Sequence, residues 1–114
     1  MTRIYKLLAE AEWNAALGAG VYEGSADDRR DGFIHFSTAD QAGETARKYF
    51  AGRTDLLLVA FEAETLGGGL KWEPSRGGAL FPHLYGPLPT EAAIDVRVVA
   101  LGPDGAPDLG VLHP

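Results

Sequence analysis

Six consecutive apolar residues, Leu56-Leu57-Leu58-Val59-Ala60-Phe61, stand between Asp55 and Glu62. A strand alternates its side chains between two faces, so a run with no polar member places apolar groups on both. Such a strand is covered on both faces and belongs at the centre of a sheet rather than at its margin. With 114 residues, the chain has material for one domain, residues 1–114, and one modest core.

The rest of the chain is read around that strand. Arg3 to Leu8 reads as a first strand. Glu10 to Leu17 reads as a short helix with Trp13, Ala16 and Leu17 on one face, and Gly18 or Gly20 takes the left-handed position that ends it. Val21 to Arg30 is a polar connection, either a flap over a site or a plain surface loop. Thr38-Ala39-Asp40-Gln41 is a capping-box pattern. It starts a helix from about Ala39 to Ala51 with Ala42, Thr45, Ala46 and Tyr49 on the buried face, stopped by Gly52. Gly67-Gly68-Gly69 is a turn that lacks the Lys-Ser/Thr ending of a phosphate loop. Leu70 to Glu73 is a short strand stopped by Pro74. Phe81 to Pro87 reads as an ordered loop, since its prolines forbid a helix interior. Ala93 to Leu101 alternates Ile94, Val96 and Val98 with Asp95 and Arg97, as a half-exposed strand does. Pro103-Asp104-Gly105 is a turn, and a short edge strand through Val111 and Leu112 follows. About five strands and two helices, alternating early and strand-rich late, predict an α+β domain rather than a doubly wound parallel sheet.

Composition narrows the function classes. The formal net charge is −6 and no basic run stands out, which argues against a general nucleic-acid-binding surface. Cysteine is absent, which removes disulfides, thiolate nucleophiles and cysteine metal sites. No apolar run approaches the roughly 18 residues of a membrane span. Met1 to Tyr5 runs straight into a strand-like pattern with no signal peptide, so a cytoplasmic location is expected. A protein partner is left open.

The residues with chemistry to offer gather in two segments. In Asp31-Gly32-Phe33-Ile34-His35-Phe36-Ser37-Thr38, read as one strand, Ile34 and Phe36 share a core face while Phe33, His35 and Ser37 share the other. An imidazole with a hydroxyl two residues on suits a sugar or an amide, beside a helix start that favours polar or anionic ligands. The alternative is a structural His35 that holds a neighbouring loop, with Thr38 and Gln41 as capping residues only. The second segment holds His83, Tyr85 and Gly86. Tyr85 stacks on a flat ligand ring that the glycine lets approach, or else plugs the core with Phe81. Glu73, beside Trp72, stabilises a developing cation or pairs with Arg76 at the surface. His113 is expected in solvent. A His35–His83 metal pair has no third ligand of characteristic spacing, so no metal is expected. No Gly-x-Ser-x-Gly elbow supports a serine triad.

Gly32-Phe33-Ile34-His35-Phe36-Ser37-Thr38 with Gln41, then Trp72-Glu73 and Phe81-Pro82-His83-Leu84-Tyr85-Gly86, resemble the bacterial domain-of-unknown-function 952 family over nearly the whole chain. The resemblance implies a fold similar to that of ADP-ribosyltransferases, a split and mostly antiparallel sheet around an NAD cleft. By that likeness His35 matches a strand histidine that grips a ribose, and Ser37 the polar residue two positions on. Tyr85 or Trp72 stacks on the base, and Glu73 or His83 acts at the reacting centre. His35, His83 and Glu73 are then the catalytic candidates, and Ser37, Thr38, Trp72, Tyr85 and Gly86 the binding candidates. NAD or a related nucleotide is the implied ligand. The alternative is a non-catalytic module that senses a small ligand or a protein through the same cleft.

Overall fold

A computed structural model describes residues 2–114. In chain order the strands and helices are β1 (Arg3–Ala9), α1 (Glu10–Ala19), β2 (Val21–Tyr22), α2 (Ala26–Asp31), β3 (Ile34–His35), β4 (Ser37–Thr38), α3 (Ala39–Tyr49) and β5 (Leu56–Glu62). There follow β6 (Leu70–Pro74), β7 (Leu80–Leu84), β8 (Leu88–Pro89), β9 (Ala93–Val98), β10 (Ala100–Leu101) and β11 (Pro107–Asp108). The fold is α+β and its strand pairings are antiparallel.

The main sheet has the order β4-β1-β5-β9, which puts β5 in its interior as the apolar run predicts. Alternation sends Leu57, Val59 and Phe61 of β5 to one face, where they join Ile4 and Leu8 of β1. Trp13 and Ala16 of α1, with Ile34, Phe36 and Leu84, close over that layer. Leu56, Leu58 and Ala60 point the other way and pack with Ala42 and Ala46 of α3 and with Val99 and Leu109. One strand thus serves two apolar layers. No helix among the described residues is long and apolar enough to cross a membrane.

Several expectations change, among them that of Leu17, which is exposed rather than on a buried face of α1. The segment through His35 is not one strand. β3 joins a three-stranded sheet of order β3-β7-β6, while β4 pairs with β1 in the main sheet, so the chain crosses between sheets at Phe36. The expected loop through Phe81 is the middle strand β7. Its Pro82 is tolerated because the N–H and C=O of one residue point to the same side of an antiparallel strand. Pro82 O accepts from Phe36 N at 3.0 Å, so the missing donor faces the place where β3 has just ended. The Val21–Arg30 connection contains β2 and α2, a third helix. Tyr49 is 65% exposed, because α3 buries only the small side chains of Ala42 and Ala46.

The C-terminal part differs too. The short pairing there is β10 with β11, and Val111 is exposed. His113 is exposed, as expected, but its backbone is tied down: Tyr5 Oη donates to His113 O at 2.6 Å.

Candidate functional site

β4 covers only Ile4 and Tyr5 of β1. Where that pairing stops, a cavity of about 290 Å³ opens, walled by β1, α2, α3 and the β6–β7 hairpin. Its lining includes Lys6, Asp28, His35, Ser37, Arg76 and His83.

The strand register brings the two histidines together. His35 of β3 lies opposite His83 of β7, and their ring centroids are 5.6 Å apart. Phe33 stacks on His83 at 4.0 Å and lies 5.3 Å from Tyr85. Directly paired residues share a face, so Lys71 and Glu73 of β6 lie on the His83 side, while Trp72, paired with Pro82, faces the opposite way.

The two imidazoles are held differently. His35 Nδ1 donates to Asp28 Oδ1 at 2.6 Å, and Nε2 lies 3.0 Å from Asp31 Oδ2. His35 therefore has a carboxylate at each ring nitrogen and none left for a ligand. His83 Nδ1 donates to Glu73 Oε1 at 2.9 Å, and Nε2 has no hydrogen-bond partner among the described residues. With the proton on Nδ1, Nε2 of the neutral ring is a lone-pair acceptor.

Asp28, which is not among the residues expected from sequence, organises this wall. Ser25 opens α2 with a capping box, its Oγ accepting from Asp28 N and Asp28 Oδ2 accepting from Ser25 N. The same carboxylate accepts from Lys6 Nζ at 2.8 and 3.0 Å and from His35 N at 3.1 Å. Both Asp28 and Lys6 are buried. Burial by itself would raise the Asp28 pKa; the hydrogen bond from His35 and the charge and hydrogen bonds of Lys6 outweigh it and hold the carboxyl well below the usual range. Burial lowers Lys6 in turn, against the pull of Asp28. The Ser-x-x-Asp spacing at Ser25–Asp28 was the available signal. So was Lys6, whose strand parity with Ile4 and Leu8 puts an ammonium on a core face, where it requires a partner.

This network makes stability acid-sensitive. A carboxylate with a depressed folded pKa contributes stability above its unfolded value, near 3.8, and loses it as pH falls through the folded value. Urea melts are expected to show no Asp28 contribution to the slope above about pH 5 and a decline below about pH 4. The decline should be shallower in Asp28→Asn. An equal slope in the variant would assign the acid loss to other groups.

The other expected site residues are scattered. Ser37 is buried and lines the cavity, with Oγ 2.9 Å from Thr45 Oγ1. Glu73 does not line the cavity; it stands behind His83 and also accepts from Tyr85 Oη at 2.8 Å. These bonds, first from His83 and then from Tyr85, lower its pKa. Tyr85 is half-exposed beside Phe33 and outside the cavity lining. Thr38 caps α3, its N–H donating to Gln41 Oε1 at 3.1 Å. Gly86 has a φ of 138°, a conformation that suits glycine, in the turn after β7. Among the described residues no group of three or more His, Asp or Glu is arranged to hold a metal ion.

The profile of a family described as Protein of unknown function (DUF952) matches residues 7–96. The chain belongs to the DUF952 family. Its fold is shared with protein CC0527 from Caulobacter crescentus. The crystal structure of CC0527 is 55% identical, covers 95% of each chain and superposes with a TM-score of 0.93. A double mutant of CC0527 gives 54% identity, 95% coverage of each chain and a TM-score of 0.92. The solution NMR structure of CC0527 gives 55% identity, 96% of this chain, 95% of that chain and a TM-score of 0.87. A comparison with curated proteins returns no match. At this identity the α+β arrangement described here is that of a DUF952 domain.

Proposed function

We propose that the cleft beside β1 binds NAD or a related nucleotide and seats a ribose hydroxyl on His83. The observation that carries this reading is the Glu73-anchored imidazole of His83 on the cavity wall, with Nε2 free of protein partners. A ribose hydroxyl is a donor that needs an acceptor held at a fixed angle, and Glu73 fixes that angle by taking the other ring nitrogen. The role first given to His35 thus passes to its cross-strand neighbour. At about 290 Å³ the cavity is at the small end for ligand sites. It suits one nucleoside-sized moiety, with the rest of a dinucleotide outside. Phe33 and Tyr85 continue the aromatic surface next to His83 and offer a platform for a base. The resemblance of the two histidine segments to an ADP-ribosyltransferase-like family supports the ligand class.

Recognition is favoured over cleavage of the ribosyl bond. An oxocarbenium-like transition state calls for a carboxylate free to face the developing charge. Glu73 stands outside the cavity lining, with His83 and Tyr85 on one of its oxygens, and Asp28 is engaged by Lys6 and His35. NAD, ADP-ribose or AMP at 100 times its dissociation constant is expected to stabilise the domain by about 2.7 kcal/mol. For a chain of this length that raises the melting temperature by roughly 10 °C. No rise at millimolar concentrations of all three would remove the nucleotide reading. Prolonged incubation with NAD should release no nicotinamide by chromatography; release that His83→Gln abolishes would overturn the choice of recognition over catalysis.

A further inference from the structure

We propose that Arg76 anchors a phosphate subsite in the same cleft, so that the ligand presents a phosphoryl group to Arg76 and a hydroxyl to His83. Only the second half of that statement rests on the nucleotide reading.

Among the described residues, Arg29, Arg47, Lys71 and Arg76 have no carboxylate within salt-bridge distance. The first three are exposed; Arg76 is half-buried and lines the cavity. The Gly77-Gly78 turn, with φ of 70° and 82°, reverses the hairpin immediately after it. Three contacts hold the guanidinium. Nη2 donates to Thr45 Oγ1 at 3.1 Å, and the group lies 4.8 Å from the Phe81 ring centroid and 5.9 Å from that of Tyr49. Thr45 Oγ1 donates its own proton to Gln41 O at 3.2 Å, which leaves its lone pairs for Arg76 and Ser37.

A guanidinium has five N–H donors in one plane, and one of them has a protein acceptor here. The guanidinium carbon sits over the Phe81 ring and the remaining N–H donors have no protein acceptor among the described residues, which leaves a fork of the kind that grips a phosphate through two parallel bonds. The aspartates on the cavity wall do not compete for it: Asp27 and Asp31 pair with Arg30, and Asp28 pairs with Lys6. Arg76 is the cation of the wall left for a ligand.

The test is titration with orthophosphate at constant ionic strength, by calorimetry and phosphorus NMR. The chains are wild type, Arg76→Gln, Arg76→Lys and, as a charge-matched control, Arg97→Gln, with melting curves to establish that each is folded. Saturable binding is expected, weakened about 10- to 100-fold by Arg76→Gln and less by Arg76→Lys, which keeps the charge but not the fork. Arg97→Gln should bind as wild type. Absence of saturable binding, or equal affinity in folded Arg76→Gln, would overturn the subsite. A parallel titration with adenosine separates the two readings. If phosphate binds through Arg76 while adenosine, AMP and NAD do not bind, the nucleotide reading fails and the subsite stands. If adenosine binds while phosphate affinity ignores Arg76, the subsite alone fails.

Discussion

Asp28→Ala is expected to cost about 3–5 kcal/mol of unfolding free energy at neutral pH, measured by urea melts. It leaves the Lys6 ammonium buried without its partner, and stranding one member of a buried pair is among the most damaging single changes. It also strips an acceptor from His35 Nδ1 and opens the Ser25 capping box. Stabilities of small domains are about 5–15 kcal/mol, so the loss takes a large share. The pairing argument has its own check. Lys6→Met combined with Asp28→Asn removes both charges, and the double variant should be clearly more stable than the sum of the single losses predicts. Additive losses would mean that the ion pair does not hold α2 against β1.

Phe36→Ala should be comparably severe, at about 3–5 kcal/mol, as a large-to-small change in a closed core. Phe36 is 3% exposed and meets Phe61 edge-on at 5.6 Å, at the point where the chain passes between sheets. His35→Ala provides the contrast. The strand reading of Asp31–Thr38 implies that His35 supports little of the fold, but its ring donates to a buried carboxylate. A hydrogen bond to a charged group corresponds to about 1.5–3 kcal/mol. Asp28 keeps Lys6 and Ser25 N, so the loss should stay below that of Phe36→Ala. Equal losses from the two variants in paired melts would make His35 as much a core residue as Phe36.

These cases show what alternation and spacing reveal. The unbroken run of Leu56–Phe61 announced an interior strand because no other placement hides both sets of side chains. The alternation of Ile34 and Phe36 against His35 survived even though the strand did not, since each residue kept its face while the chain changed sheets. That His35 and His83 share a wall followed from their aromatic-polar settings, but which nitrogen is free did not. That depends on Asp28, Asp31 and Glu73, brought in by a short helix and by cross-strand register. Trp72 and Glu73 are neighbours in sequence, yet strand pleating sends them to opposite faces. Pro82 misled because proline argues against an interior strand, unless its missing donor falls where a neighbour ends.

The crossing at Phe36 also bears on how the domain breathes. Amide hydrogens exchange through local openings, and those that share a cooperative unit exchange together. The His35 amide is bound to the Asp28 carboxylate and the Phe36 amide to Pro82 O, so one short peptide is fastened to α2 on one side and to β7 on the other. Releasing the Phe36 amide means opening the β3–β7 edge, and releasing the His35 amide means detaching the Asp28 carboxylate that also holds Lys6 of β1. Both are therefore expected to exchange later than exposed β9 amides that lack a ladder partner. The cavity wall at His35 is thus held from two sides, by α2 and by β7.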